Sequence, residues 1–225
     1  NGFYWRIACS DEWPGAIEVR RAEGGTRPWI AEPGAYRHAL GGEMGGLWRR
    51  LGRPPNALVG VGFAGQGFPD STWYRRTAAA ADPRASFVFA GVDGDVFGDF
   101  GANGGGAAGE EVDRFDHRLG SPDHGLVLAS SEQHAPNVLR TIEEVTTSNA
   151  LLRDGIQRRD PEVRADLVLF PCPHGGAVFS TGSIAWAGAL AHRGYDNPVA
   201  RITGNVLRRF LDAAPLEWGS ADGVR

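Results

Sequence analysis

Four short apolar runs, each ended by glycine, proline or a polar turn, constrain the fold of this chain most. Residues 57–63 (ALVGVGF), 86–92 (SFVFAGV), 126–130 (LVLAS) and 166–170 (DLVLF) are continuously apolar rather than alternating. Runs of that length and kind predict strands covered on both faces. Residues 177–180 (AVFS) predict a shorter strand after a His-Gly-Gly turn. Near the N-terminus, residues 3–8 and 16–22 predict two more strands around the turn-prone Asp11-Glu12-Trp13-Pro14-Gly15. Ile17 and Val19 alternate with Glu18 and Arg20, which gives the second strand one wet face.

Helix signals come late. Ser183 can cap a helix running from Ile184 to about His192. Asn197 is a good N-cap and Pro198 a good first helical residue. From there Val199, Ile202, Val206, Leu207, Phe210 and Leu211 fall on one face, Arg208 and Arg209 suit the last turn, and Pro215 stops the pattern. Residues 24–56 read as irregular, and a loop that long is usually functional or interfacial. Residues 219–225 read as a frayed end. Strands interspersed with helices and glycine-rich turns predict an α/β sheet within one unit, 1–225.

Composition excludes several function classes. All 23 basic residues are arginine, so Schiff-base chemistry, a lysine base and a P-loop lysine are ruled out. The formal net charge of −4 gives no basic excess for nucleic acid or an acidic membrane surface. No apolar run reaches the roughly 18 residues a membrane span needs. Cys9 and Cys172 are far apart, which points to a reducing, cytoplasmic compartment rather than a disulfide scaffold. The start at Asn1, already strand-like, is read as the middle of a longer fold, with no signal peptide before it. Glycine makes up 33 of the 225 residues, so many backbone positions must turn sharply or pass close to a neighbour.

The motifs divide into bland and informative ones. Gly60-Val61-Gly62-Phe63-Ala64-Gly65 matches a dinucleotide fingerprint. The next residues, Gln66-Gly67-Phe68-Pro69-Asp70-Ser71, cannot start an amphipathic helix, so the match reads as a strand ending in a glycine bend. Gly104 to Gly109 precedes Glu110 and Glu111, which would repel a phosphate. The glycines read as a close approach of two backbones, and the glutamates as a helix start. Cys172 lies between two prolines with His174 nearby, a poor nucleophile elbow, and reads as a small buried residue at a strand end. His117 and His38 belong to no metal-binding spacing, so a metal site would be oxygen-rich and assembled from distant segments. Ser130-Ser131-Glu132-Gln133-His134 directly follows a buried strand, where α/β proteins place their sites. Glu132 and His134 are therefore acid–base candidates, with a polar turn as the open alternative.

Several stretches together resemble the C-terminal region of the N,N-dimethylformamidase large (beta) subunit family. They include Asn1 to Arg6, Ile17 to Arg21, Gly42 to Arg49, Leu58 to Phe63 and Gly98 to Gly101. Further on come Gly104 to Glu110, Leu128 to Glu132 with His134, Gly175 to Trp186 and Asn205 to Phe210. The resemblance runs through nearly the whole chain in order.

That resemblance implies a partial class I glutamine amidotransferase-like (Rossmann-like) sheet flanked by helices, without a cysteine nucleophile. It implies hydrolysis of N-substituted formamides, such as N,N-dimethylformamide, to an amine and formate. It also implies a mononuclear iron held by two tyrosines and a glutamate, a small helical partner subunit, and a homo-oligomer of large subunits. The tyrosines are expected upstream of residue 1, and Glu43, flanked by glycines in Gly41-Gly42-Glu43-Met44-Gly45-Gly46, is the expected glutamate ligand. Glu132 or His134 would protonate the leaving amine. Asn103 or Asn149 would donate to the oxyanion, and Trp5, Trp48 and Phe63 would line a small apolar pocket. A non-catalytic scaffold, a relative acting on a different small amide, and a carbohydrate-binding module are the other readings left open by sequence.

Overall fold

The computed structural model describes residues 3–21, 46–140, 160–173, 175–216 and 218. In chain order the strands are β1 (Phe3–Cys9), β2 (Ile17–Arg21), β3 (Gly46–Leu47), β4 (Gly62–Thr72), β5 (Tyr74–Arg76) and β6 (Val96–Phe97). They continue as β7 (Ala108–Arg114), β8 (Leu126–Ser131), β9 (Leu139–Arg140), β10 (Asp166–Pro171) and β11 (Ala177–Ser180). The α-helices are α1 (Asn56–Val59), α2 (Ala185–Ala189) and α3 (Pro198–Leu211).

The described strands form three sheets, in the orders β2-β1-β3, β11-β10-β8-β5-β6 and β7-β4-β9. Every pairing among them is antiparallel. The α/β content is therefore mixed, as expected, but the parallel crossovers that define a Rossmann-like sheet are not what these residues build. Short connections favour this outcome: β10 returns as β11 through a hairpin in which Gly175 and Gly176 adopt positive φ of 92° and 75°.

The core lies between the five-stranded sheet and α3. Tyr74 is its centre: fully buried, stacked on Phe97 at 5.7 Å and met edge-on by Trp186 at 5.5 Å. Its hydroxyl donates to the Thr181 carbonyl at 2.7 Å, so the one polar atom on the ring is satisfied. Leu128, Leu167 and Leu169 from β8 and β10 and Val199, Ile202 and Val206 from α3 complete the cluster.

Four expectations need correction. Residues 57–63 do not form one strand. Pro54 and Pro55 lead into the single turn α1, which Gly60 closes at φ 78° with its N–H on the Asn56 carbonyl, and β4 starts only at Gly62. Residues 86–92 are turns rather than a strand, with Val88, Phe89 and Val92 buried and Ser86, Ala90 and Gly91 exposed. Asp82 caps the preceding 3₁₀ turn Pro83–Ala85, and i to i−3 bonds such as Val88 N–H to Ala85 O carry that winding onward. Glu110 and Glu111 belong to β7, because the glycine run before them pairs edge to edge with β4 and leaves no room for a helix. The helix predicted over 184–192 is only Ala185–Ala189. The N-cap position is Ile184, whose side chain caps nothing, while Ser183 Oγ one residue earlier accepts from Ala185 N–H at 3.1 Å; Arg193 and Gly194 adopt left-handed conformations soon after and stop any continuation.

The last helix agrees with its sequence signals at the start and departs from them at the end. Asn197 Oδ1 accepts from Ala200 N–H at 2.9 Å, and Pro198 opens α3. Val199, Ile202 and Val206 are buried, whereas Leu207, Phe210 and Leu211, on the same predicted face, are exposed.

Candidate functional site

The polar face of the β7-β4-β9 sheet gathers unusual chemistry. Glu111 and Asp113 stand two residues apart on β7 and so project from the same face. Gln66 lies opposite Glu111 in register, and its Nε2 donates to Glu111 Oε1 at 3.0 Å. Phe63 lies opposite Asp113 and is buried. The 3₁₀ turn Trp48–Leu51 reaches this strand, where Arg49 donates to the Phe63 carbonyl at 3.5 Å. On the opposite face, Arg140 of β9 lies across from Gly65 and pairs with Asp160 at 2.5 Å.

Asp113 is the anomaly in this arrangement. Its Oδ1 is sealed from solvent without a hydrogen-bond partner. Burial, with Glu111 acting in the same direction, raises its pKa to about 7. A carboxyl that changes charge near neutrality can take or give a proton where ordinary carboxylates cannot.

A second polar cluster joins β8 to β10. Asp166 is fully buried and accepts from Ser130 Oγ at 2.6 Å, Phe115 N–H at 2.8 Å and Arg164 Nε at 3.1 Å. Burial pushes its pKa up, while Arg164 and these donors pull it back. Next to it, Ser131 Oγ accepts from Ala165 N–H at 2.7 Å and lies 2.6 Å from His134 Nε2. His134 is buried, its Nδ1 has no partner, and burial lowers its pKa to about 4. Nearby, buried Arg114 holds Asp116 at 2.8 Å. Asp116 also takes Arg118 at 2.7 Å, and its carboxyl is held well below the usual range. These bonds tie strands and turns to one another.

The residues expected from sequence to act together are dispersed. Glu132 turns outward onto Arg75 at 2.9 Å, both partly exposed. Its neighbour Gln133 takes φ 63°, and His134 folds back inward onto Ser131. Asn103 donates to Glu110 Oε2 at 3.1 Å. Ser71 N–H binds the Gly104 carbonyl at 2.9 Å, and Glu132 N–H binds the Trp73 carbonyl at 3.2 Å, so one short segment links the two backbones. The side chains of Asn103, Glu132 and His134 thus each bond elsewhere rather than to one another. Phe63 is buried and Trp48 partly exposed, while the Trp5 side chain, Glu43, Asn149, His38 and His174 lie outside the described residues. Sequence reading missed Gln66, Glu111 and Asp113. The signal was present: two carboxylates flank Val112 at the strand period.

The glycine-rich loop serves close packing, as expected. A Cβ on Gly106 would collide with the Thr72 backbone, and one on Gly109 with Ser71. Cys172 is half-buried just beyond β10 and is free. Among the described residues, no group of three or more His, Cys, Asp or Glu side chains is placed to hold a metal ion. Nor is any helix among them long and apolar enough to cross a membrane.

Comparison with known proteins adds a family. A family model described as N,N-dimethylformamidase beta subunit-like, C-terminal, matches residues 1–197. A protein named N,N-dimethylformamidase beta subunit from Paracoccus aminophilus is 39% identical over 220 residues, covering 96% of this chain and 28% of that protein. One of the same name from Alcaligenes sp. is 37% identical over 217 residues, with the same shares, 96% and 28%. The chain thus spans little more than a quarter of the length of these relatives.

Proposed function

This chain belongs to the N,N-dimethylformamidase beta subunit-like C-terminal family, and we propose on that premise that it is part of an amide hydrolase. The reaction is cleavage of the C–N bond of N-substituted formamides, such as N,N-dimethylformamide, to an amine and formate. The observation that carries this reading is identity of 39% sustained over 96% of the chain.

The same reading brings the family's other attributes as proposals. The enzyme works with a small helical subunit, as the word subunit in the relatives' names suits. It forms a homo-oligomer of large subunits, and it is cytoplasmic, in keeping with two free cysteines. An amidotransferase-like domain, a C-terminal part of which would be residues 1–225, rests on the resemblance alone. So does iron: Glu43, with tyrosines outside this chain, is the proposed ligand set.

Hydrolysis of a tertiary amide needs a proton taken from the attacking water, one given to the departing amine, and a donor for the oxyanion. Asn103 is the proposed oxyanion donor, since its amide carries two N–H bonds and Glu110 takes one. Glu132 and His134 are the proposed proton donors to the amine, and His134, its pKa lowered to about 4 by burial, would have to gain a proton before giving one. Each would first have to leave a partner, Arg75 and Ser131 respectively.

The test measures iron content together with formate release from N,N-dimethylformamide, on the full-length protein with its partner subunit. Iron near one per large subunit, lost in Glu43→Ala, together with formate release is the expected result. Iron without formate moves the search to another small amide. Neither leaves the second reading, a scaffold or subunit-interaction domain. That reading is favoured by the exposed Leu207, Phe210 and Leu211 at the end of α3.

A further inference from the structure

We propose that the end of α3 is the face through which two copies of this chain pair, isologously, about a two-fold axis at Phe210. The inference rests on the homo-oligomer proposed above and adds to it the surface that makes the contact.

Exposure sets this face apart. α3 carries two apolar stripes, and Val199, Ile202 and Val206 of the first are buried. Leu207, Phe210 and Leu211 lie three and four residues apart, so they share a flank, yet they are 58%, 40% and 86% exposed. Three large apolar side chains on neighbouring turns make a contiguous patch, which marks a protein contact as scattered surface leucines do not. Beside them a cleft of about 340 Å³ opens between the β10–β11 hairpin and the chain after α3, lined by Ala177, Phe210, Asp212, Pro215 and Leu216. Arg209 holds that chain in place, donating to the Ala214 and Pro215 carbonyls at 2.8 and 2.6 Å, so the cleft is formed before anything enters it. One surface thus offers both a projecting leucine and a recess for one, as a self-complementary contact requires.

Charge selects a second copy as the occupant. Arg208 and Asp212 stand two residues before and two after Phe210, both exposed and on a common flank. Neither has an ion-pair partner among the described residues: Arg208 donates to Asn205 Oδ1 at 2.9 Å, and Asp212 accepts from Ala214 N–H at 2.9 Å. Two α3 helices packed antiparallel with the axis at Phe210 set Arg208 of each copy against Asp212 of the other. Phe210 meets its own counterpart, and Leu207 and Leu211 cover the centre. Each Arg208 also reaches the carbonyl end of the other helix, where a cation is favoured. A plainly apolar partner helix would cover the leucines and leave both charges unmatched.

The experiment measures large-subunit association by sedimentation velocity over a range of concentrations, on the full-length protein with its partner subunit. It compares wild type, Arg208→Glu, Asp212→Arg and an equal mixture of the two variants. Each variant alone is expected to raise the Kd of association at least about tenfold, because the two-fold axis repeats every change. Mixing restores opposite charges at both contacts and is expected to bring the Kd to within about threefold of wild type. An unchanged Kd in Arg208→Glu overturns the inference, as does a mixture that associates no better than its components. Release of the small subunit from Arg208→Glu with large-subunit association intact also overturns it, by giving the face to that partner. If Asp212→Arg fails to fold, Leu211→Glu decides, and a wild-type Kd there overturns the inference. A wild type that stays a single large subunit at every concentration overturns the homo-oligomer itself, and this face with it. Association in wild type that the variants leave untouched overturns the face alone.

Discussion

Ser131 and His134 stand three residues apart and meet through one hydrogen bond, 2.6 Å between Oγ and Nε2. Ser131 Oγ also accepts from Ala165 N–H at 2.7 Å, so one hydroxyl joins the ring to the backbone before β10. The pair is buried, and it welds the turn after β8 to the residue before β10.

Ser131→Ala therefore leaves a buried amide and a buried ring nitrogen without partners. The expected cost is about 1–3 kcal/mol of stability, read from the urea midpoint at neutral pH. A change under about 0.5 kcal/mol would show that water reaches both groups once the hydroxyl is gone, and would contradict this account.

His134 should make the protein acid-sensitive. Its folded pKa of about 4 lies below the unfolded value of about 6.5, so between these the unfolded chain binds the extra proton. Its contribution is complete above pH 6.5 and lost progressively as the pH falls to about 4, on the order of 3 kcal/mol in total. Unfolding midpoints across that window should flatten in His134→Gln. An unchanged pH slope in that variant would assign the sensitivity to the carboxylates instead.

Gly106→Ala tests the crossing of the glycine loop over β4. The added methyl group would meet the backbone of Thr72, which no rotamer change can relieve. A loss of about 1–3 kcal/mol is expected, with Gly105→Ala, whose Cβ meets nothing within 4 Å, as the comparison. Gly105 has φ 78°, so its alanine variant carries a backbone cost that Gly106→Ala does not. Thermal melts of both variants separate collision from conformation, and a milder effect at 106 than at 105 would refute the crossing.

The sequence by itself determined the elements whose signals are local. Asn197 and Pro198 set the start of α3 because cap and first-turn geometry involve neighbouring residues only. The apolar runs at 126–130 and 166–170 became β8 and β10 because no competing turn residue interrupts them. The family resemblance was also legible, since it resides in residue identity. Tertiary structure decided the rest. Runs 57–63 and 86–92 are as apolar as those strands, but proline and capping residues at their entry wound them into turns that the core buries only in part, leaving Leu58, Ala90 and Gly91 exposed. Parallel or antiparallel pairing is a relation between distant strands, so no single run could announce it. Glu132 and His134, two apart on paper, part company because Gln133 turns the backbone between them. Asp113 acquires its character only from the sheet that seals its carboxyl, because burial and absent partners belong to the folded surroundings of a residue and not to its name.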